Sequence, residues 1–276
     1  MSYLYTRRFL GPVEAVILDW AGTTVDFGCI APAEAFTMLF ANEGVTITKA
    51  QAREPMGTEK REHIRRVLLI PAVAAEWQKV KGAAHTEADI DRLYAQLEPI
   101  QIAAIEKHSA LIAGTLDTVG MLHEQGIRIG ANTGYNRKML SVLAALALEE
   151  GYAPEVSLAS EDAPRGRPTP DLALAVAVRL GLTCVQACVK VDDTVPGVEE
   201  GLNAGMWSVG LALSGNECGL SREELDALSE ESYLAVQQRA HQRLLQAGAH
   251  YVIDTIEELP EVIEDINARL AAGEAP

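Results

Sequence analysis

Polar side chains follow four short strand-like runs of this sequence. Asp19 follows "AVIL", Thr133 follows "IGAN", the basic loop "RGRP" follows "VSLAS", and Asp192 and Asp193 follow "CVKV". Any one of these groups could be no more than a helix cap, since Asp, Ser and Thr are favoured at helix N-termini. Four of them at the ends of strand-like runs instead predict one shared site.

These groups suit a divalent cation and a tetrahedral anion. Carboxylates at two strand ends can share an ion such as Mg²⁺, which prefers few protein carboxylates together with an anionic substrate oxygen. The backbone amides of "WAGTT", the hydroxyl of Thr133 and an arginine of the "RGRP" loop can hold a phosphate-like group through charge-assisted hydrogen bonds. The sequence therefore predicts a site for a phosphate-like anion and a metal.

The overall charge makes that local cluster necessary. The 276-residue chain has a formal net charge of −16, which repels nucleic acid and also small anions, so we expect no nucleic-acid partner. No apolar run approaches the ~18 to 20 residues of a membrane-spanning helix, and no secretory signal is apparent. We therefore expect a cytoplasmic protein with no membrane partner and four free cysteine thiols.

Most of the chain has the pattern of an α/β fold. From residue 108 onward strand-like runs alternate with helix-period segments, and "AVILDW" matches the strands in character. This alternation predicts a Rossmann-like parallel sheet covered by helices on both faces. Residues 268–276, "ARLAAGEAP", are rich in small residues and are expected to fray.

A helical segment interrupts this pattern between residues 28 and 107. We predict that it forms a cap domain over the carboxyl ends of the strands, where ligands of open α/β sheets bind, and that residues 1–27 and 108–276 form the core domain. In "MGTEKREHIRRVLL" the helical spacing places Lys60, His63, Ile64 and Val67 on one face, so the amine and the imidazole point the same way.

The motifs resemble those of a known superfamily. "DWAGTTVD", the threonine after the next strand, the basic loop and the acids of "VDD" are similar, in order, to the four motifs of the haloacid dehalogenase superfamily. More narrowly, "DWAGTTVDFG", "EPMGTEKREHIRRVL", "TGYNRKM", "GRPTPD" and "GLNAGMW" resemble the phosphonoacetaldehyde hydrolase (phosphonatase) family. The resemblance implies Mg²⁺-dependent hydrolysis of phosphonoacetaldehyde to acetaldehyde and phosphate in 2-aminoethylphosphonate degradation, by a homodimer.

The chemistry explains why this family needs a lysine. A carbanion is a poor leaving group, so cleavage of a carbon–phosphorus bond requires an electron sink. A protonated imine between a lysine and the neighbouring aldehyde supplies one. The resemblance assigns the imine to Lys60, which needs a lowered pKa to act as a neutral amine, and proton transfer to His63.

The resemblance also assigns the remaining site residues. Asp19 is expected to be the nucleophile, and Arg167, rather than Arg165, is expected to bind the phosphonate. Mg²⁺ is expected to bind Asp19, the backbone carbonyl of Ala21 and Asp193, with Asp192 acting through water. The other expected substrate contacts are Thr133, Met56, Gly57, Tyr135 and Cys29.

Three other functions remain open on the sequence alone. A phosphate-ester hydrolase of the same fold would need a second aspartate at position 21, where this chain has Ala21, and would not use Lys60. A dehalogenase that attacks carbon also lacks that aspartate, but the acids at 192 and 193 argue against it. A non-catalytic phosphometabolite-binding protein would be expected to have lost Asp19, Lys60 or the metal acids.

Overall fold

The computed structural model describes residues 8–276 and has a six-stranded parallel sheet at its centre. All residues of the first, fourth and fifth strands are buried, as is typical of strands covered on both faces. The sheet order is β3-β2-β1-β4-β5-β6. The strands are β1 (Ala15–Leu18), β2 (Arg128–Asn132), β3 (Val156–Leu158), β4 (Cys188–Asp192), β5 (Trp207–Leu211) and β6 (Tyr251–Ile253).

Helices surround this sheet and fill the long connection between β1 and β2. Short 3₁₀ turns cover Ser160–Asp162, Val185–Ala187 and Ile256–Glu258. The α-helices of the described residues are α1 (Ile30–Asn42), α2 (Lys49–Arg53), α3 (Lys60–Leu69), α4 (Pro71–Lys81), α5 (Glu87–Lys107), α6 (Thr115–Glu124), α7 (Arg137–Glu149), α8 (Asp171–Arg179), α9 (Val195–Asn203), α10 (Arg222–Asp226), α11 (Glu230–Gln246) and α12 (Leu259–Ala271).

The central strand β1 shows how both faces of the sheet are covered. Val16 and Leu18 belong to an apolar cluster that includes residues of α12, whereas Ala15 and Ile17 belong to one that includes residues of α8. Alternate residues of a strand point to opposite faces, so helices lie on both sides of the sheet. The predicted α/β fold with a Rossmann-like parallel sheet and an inserted helical segment is confirmed.

The insert leaves and rejoins the core at adjacent points. The Asp26 N–H donates to the Ala110 carbonyl at 3.0 Å, and the Ile112 N–H donates to the Thr24 carbonyl at 2.9 Å. These antiparallel contacts close the base of the insert near the boundaries predicted for the cap. The division into a cap of residues 28–107 and a core stays a prediction, and residues 1–7 of that core lie outside the described residues.

Several local expectations differ from the structure. Helices α2, α4, α6 and α12 were not predicted, and the polar segment before "YVID", whose pattern predicts one long helix, forms two helices, α10 and α11. The expectation that the chain frays from residue 268 is wrong as far as Ala271, because α12 continues to that residue and Leu270 is fully buried in the core. None of the helices in the described part of the chain is long and apolar enough to cross a membrane.

Candidate active site

The predicted acids meet at the switch point of the sheet. Strand β1 lies between β2 and β4, so β2 and β3 lie on one side of it and β4 to β6 on the other. At such a switch point a crevice opens at the carboxyl ends of the strands. Asp19 follows β1, Asp192 ends β4, and Asp193 comes next. One carboxylate oxygen of each lies within 4.8 Å of the others, and all three side chains are buried.

A tight turn of small residues follows Asp19. The Trp20 carbonyl accepts hydrogen bonds from the backbone N–H groups of Thr23, Thr24 and Val25 at 2.8 to 3.2 Å. Gly22 has a φ of 87°, and a Cβ added there would lie 2.2 Å from Asp193 Oδ2. Only glycine fits this position, because it tolerates positive φ and leaves room for the carboxylate.

Asp192 has both carboxylate oxygens occupied. Its Oδ2 accepts a hydrogen bond from Lys190 Nζ at 2.7 Å and lies 3.2 Å from Arg167 Nη1. Its Oδ1 accepts from the backbone N–H of Thr194 at 3.0 Å and from the Thr194 hydroxyl at 2.7 Å. Since a carboxylate offers about four lone-pair sites, Asp192 has little capacity left for another ligand.

Asp193 keeps more of that capacity. In the described chain its Oδ1 accepts from the Thr23 hydroxyl at 3.2 Å, and its Oδ2 accepts from the Asn216 N–H at 2.7 Å. Asp19 Oδ1 lies 2.8 Å from Arg167 Nη2, but without the alignment of a hydrogen bond. Asp193 and Asp19 are therefore the acids with free lone pairs.

Arg167 is held at the centre of a buried network. Besides its ion pairs with Asp19 and Asp192, its Nε donates to Glu200 Oε2 at 2.9 Å. Its Nη2 donates to the Asn132 backbone carbonyl at 3.1 Å and to the Asn132 side-chain oxygen. Burial opposes the charge on Arg167, but the carboxylates around it outweigh burial and raise its pKa. This arginine is a fixed cation, positioned beside the predicted nucleophile.

The acids of the cluster respond differently to their surroundings. Burial, reinforced by the charge of Asp192, raises the pKa of Asp19 to about 6, although Arg167 and Lys190 partly offset this. Burial and the two neighbouring carboxylates raise the pKa of Asp193 well above its ordinary value. Burial acts in the same direction on Asp192, but Arg167 and Lys190 outweigh it and lower the pKa of that carboxyl. Additional positive charge near Asp19 and Asp193 would therefore stabilise their ionised carboxylates.

Lys60 enters the same cavity from the insert. It is the first residue of α3, is 4% exposed, and makes no hydrogen bond or ion pair in the described chain. Its Nζ lies 4.9 Å from the ring centre of Tyr135 and 5.6 Å from that of Phe36. Burial lowers the pKa of Lys60 to about 8. The structure thus provides the lowered pKa that an imine-forming lysine requires.

His63 lies behind the cavity wall. Its ring is fully buried and stacks on Phe36, with ring centres 3.8 Å apart, and its Nε2 lies 2.8 Å from the Ala52 carbonyl. A carbonyl can only accept, so Nε2 carries the proton and Nδ1 is a bare acceptor, which has no partner among the described residues. Burial, then the charge of Lys60, lowers the pKa of His63 well below its ordinary value. The ring is neutral, and its predicted role as a proton carrier stays a prediction.

The cavity joins most of the predicted site residues. It is bounded by the sheet ends on one side and the insert on the other. Arg165 is not part of it and instead pairs with Asp171 on the surface. The predicted residues that line the cavity are Asp19, Ala21, Cys29, Met56, Gly57, Lys60, Thr133, Tyr135 and Arg167, with Pro32, Gly134 and Thr194 in addition.

Sequence reasoning missed the residues that hold Arg167. Glu200 is fully buried in α9 and accepts from Arg167, from Asn132 Nδ2 at 3.1 Å and from the Ala173 N–H at 3.1 Å. A signal was present, because Glu200 lies on the same helical face as Gly197 and Gly201, which pack against β4 and β5. An acid on the inward face of a helix needs a buried cationic partner.

Comparisons with known proteins agree with these motifs. A model of the haloacid dehalogenase-like hydrolases matches residues 13–205. Phosphonoacetaldehyde hydrolase from Hahella chejuensis is 50% identical over 276 residues, which is 100% of this chain and 94% of the relative. Phosphonoacetaldehyde hydrolase from Klebsiella pneumoniae is 50% identical over 96% of this chain and 99% of its own length.

Solved structures agree at the level of the fold. A phosphonoacetaldehyde hydrolase like protein from Oleispira antarctica superposes with a TM-score of 0.97 at 51% identity, covering 100% of both chains. A β-phosphoglucomutase from Clostridium difficile superposes with a TM-score of 0.67 at 18% identity, covering 94% of this chain and 99% of that one. The second likeness concerns the fold alone.

Proposed function

This chain belongs to the haloacid dehalogenase-like hydrolases and, within them, to the phosphonoacetaldehyde hydrolase family, and we propose that it hydrolyses phosphonoacetaldehyde to acetaldehyde and phosphate. One observation carries the proposal. A single cavity has a lysine of lowered pKa on one wall, Lys60, and a carboxylate beside a fixed arginine on the other, Asp19. Phosphonoacetaldehyde carries its aldehyde and its phosphonate on adjacent carbons, so the aldehyde can face Lys60 while the phosphonate faces Asp19.

The residues present fit a bound Mg²⁺. Three buried carboxylates converge, and Asp19 and Asp193 retain lone pairs that hard cations such as Mg²⁺ favour. We propose that these two acids and the carbonyl of Ala21 hold the ion, with Asp192 outside direct contact because Lys190, Arg167 and Thr194 occupy its oxygens. When bound, the ion supplies positive charge to the phosphonate oxygens and to the attacking carboxylate.

Lys60 carries out the first step of the proposed reaction. Its neutral amine attacks the aldehyde carbon, and the resulting carbinolamine takes up one proton and loses water to leave a protonated imine. Burial between Phe36 and Tyr135 favours this step, because the same desolvation that lowers the pKa of Lys60 keeps part of it neutral near pH 7.

Asp19 then takes the phosphoryl group. Its carboxylate oxygen bonds to phosphorus as the carbon–phosphorus bond breaks, and the electron pair of that bond moves into the imine to form an enamine. Arg167 and the Thr133 hydroxyl face the cavity and bind the phosphoryl oxygens. Protonation of the enamine carbon and hydrolysis of the imine release acetaldehyde, and a second water releases phosphate from Asp19.

The phosphate-ester alternative fits the cavity less well. An alkoxide leaving group needs a general acid, and Ala21 supplies none, whereas Lys60 would be an unused buried cation. Cys29, Met56, Gly57 and Tyr135 complete the cavity wall, and we propose that they contact the substrate. The homodimer, the cytoplasmic location and the place in 2-aminoethylphosphonate degradation stay predictions.

Borohydride trapping tests the proposal directly. Reduction in the presence of phosphonoacetaldehyde should leave a covalent adduct on Lys60, detected by mass spectrometry of the peptides. Lys60→Arg should lose both the adduct and turnover, whereas Lys79→Arg, at an exposed position of α4, should keep both. Full turnover by Lys60→Arg without any adduct in the unmodified protein would exclude the imine.

The nucleophile needs a separate arm of the same experiment. Asp19→Ala should abolish phosphate release yet still allow the borohydride adduct, because imine formation uses only Lys60 and the aldehyde. Phosphate release by Asp19→Ala would show that another group attacks phosphorus.

A further inference from the structure

The loop after β5 touches several parts of the site at once. We call residues 214–219 the bracket loop. Its Ser214 carbonyl accepts a hydrogen bond from the Gly28 N–H at 2.7 Å, and the Ser214 hydroxyl donates to the Gly22 carbonyl at 2.9 Å. The Asn216 N–H donates to Asp193 Oδ2 at 2.7 Å. The bracket loop therefore fixes Asp193 and the turn after Asp19.

One arginine of the insert is bonded to this loop. Arg53, the last residue of α2, donates through Nη1 to Asn216 Oδ1 at 3.3 Å, and Asn216 Nδ2 donates back to the Arg53 carbonyl at 3.4 Å. The same Nη1 lies 2.9 Å from the Gly28 carbonyl and 3.1 Å from the Cys29 carbonyl, where α1 begins. A single guanidinium thus joins the insert, the entry into the insert and the bracket loop.

Arg53 also stands just before the residues that the insert contributes to the cavity. The turn that follows it carries Met56 and Gly57, and α3 begins at Lys60. An anchor at Arg53 therefore fixes the near end of the segment that holds the amine. Its partner, Asn216, is the residue whose backbone N–H holds Asp193.

We propose that Arg53 is a positioning residue that sets the distance between the two halves of the site, the amine of Lys60 and the acids Asp19 and Asp193. It touches neither substrate nor reacting atoms and acts through Asn216 and the turn of residues 54–59. The proposal rests on the proposed function, because it assigns Arg53 to the alignment of an imine with a nucleophile. The alignment of reacting groups is sensitive to shifts of about 1 Å.

Two variants and one control test this role. Arg53→Gln removes the guanidinium, and Asn216→Ala removes its side-chain partner while keeping the N–H to Asp193. Arg239→Gln makes the same charge change in the same cleft, at an exposed residue for which the described structure shows no ion pair. If Arg53→Gln fails to fold, as judged by thermal melting, Asn216→Ala carries the test alone.

Three readouts separate positioning from a general loss of structure. Hydrogen exchange of the amides of Glu54 and of residues 56–60 should become faster in both variants and not in the control. Trapping of acetaldehyde on Lys60 by borohydride should stay within about twofold, since it needs no alignment with Asp19. Phosphate release in a single turnover should slow by about tenfold or more.

The results can also contradict the proposal. Unchanged exchange, phosphate release within about twofold of the unmodified protein, or an equal loss in Arg239→Gln would each overturn it. Failure of the proposed function looks different, because the unmodified protein would then give no adduct and no phosphate, while the exchange measurement, which needs no substrate, would still report on Arg53.

Discussion

At the scale of single residues, Lys60 combines a catalytic demand with a cost in stability. Its amine sits between the rings of Tyr135 and Phe36 without a carboxylate partner in the described chain. The pKa falls from 10.5 to about 8 because burial disfavours the charged form. Burial makes the charged form of Lys60 costly and for the same reason makes its amine easier to deprotonate. The cost in stability and the lowered pKa therefore have one cause.

Replacing Lys60 by methionine should stabilise the protein while abolishing turnover. At pH 7 the lysine is mostly charged in both states, so the penalty of burying it is present in full, and the pKa shift corresponds to about 3 kcal/mol. Between pH 8 and 10.5 the unfolded chain binds more protons than the folded one, so the penalty decreases as pH rises. Urea unfolding of Lys60→Met should show the largest gain at pH 7 and a smaller one at pH 10.

The same measurement on Lys79→Met serves as the control, because that side chain is 76% exposed. It should show no comparable gain at either pH. A Lys60→Met protein that is no more stable than the unmodified one at pH 7 would contradict the burial penalty.

Glu200 should matter to both stability and activity. Glu200→Gln keeps the shape of the side chain but removes the charge that faces Arg167 and Lys190 inside the core. Breaking a buried charge pair from one side costs about 3 kcal/mol, and a less constrained Arg167 should lower kcat/KM by about tenfold. Urea unfolding and initial rates measure the two effects. Glu199→Gln, the neighbouring residue on the same helix, should change neither, and equal losses in both variants would reject a specific role for Glu200.

Many of the residues that line the cavity were predictable, whereas the partners that hold them in place were not. Asp19 and Thr133 directly follow strands and Arg167 lies in the loop between β3 and α8, positions where chemistry limits the residue types that work. Lys190 and Glu200 instead meet only when the sheet and α9 are assembled, with Nζ and Oε2 3.9 Å apart. Helical spacing places Glu200 on the inward face of α9, but it does not identify the partners of that acid, because these depend on tertiary packing.

At the scale of elements, the turn of residues 54–59 before α3 packs closely against the core. A Cβ at Gly57 would lie 2.2 Å from Thr194 Oγ1, and one at Gly134 would lie 2.8 Å from the Thr58 carbonyl. Both glycines allow the backbone of the turn to approach the loops at the strand ends. The distance between Lys60 and the sheet therefore depends on residues without side chains.

Gly57→Ala should separate the two walls of the cavity. Gly57 has a φ of 86°, so alanine there has the cost of a left-handed backbone, about 1 to 2 kcal/mol, and also collides with Thr194. We expect kcat/KM to fall by about tenfold or more. Gly82→Ala is the matched control, since Gly82 has a φ of 77° but open space where the Cβ would lie. It should lose only the stability that the left-handed backbone costs and keep its activity, and activity retained by Gly57→Ala would show that the turn can move without harm.

The elements that were predicted differ from those that were missed in their apolar spacing. Strand β1 is a continuous apolar run, β4 is apolar apart from Lys190 and Asp192, and α1, α3 and α5 have long periodic patterns. Helix α2 has five residues and is stabilised by a capping box between Thr48 and Gln51, which leaves too short a pattern to detect. Helix α12 was also not predicted, and its last turn was expected to fray because small residues dominate it, although Leu270 continues the buried face.

At the scale of the whole molecule, the charge opposes the proposed substrate. The net charge of −16 repels an anionic phosphonate at long range, and only the local cations of the site attract it. The screening length falls from about 30 Å at 0.01 M ionic strength to about 8 Å at 0.15 M. Added salt should therefore remove more of the distant repulsion than of the attraction at contact.

We accordingly expect kcat/KM for phosphonoacetaldehyde to rise by about twofold or more between low and physiological ionic strength, measured with KCl at saturating Mg²⁺. Borohydride trapping of acetaldehyde on Lys60 is the control, because that ligand is uncharged and its capture should not respond to salt. A fall in kcat/KM with constant trapping would mean that Arg167 and the proposed metal site, rather than the acidic surface, determine the electrostatic field that the substrate meets on approach.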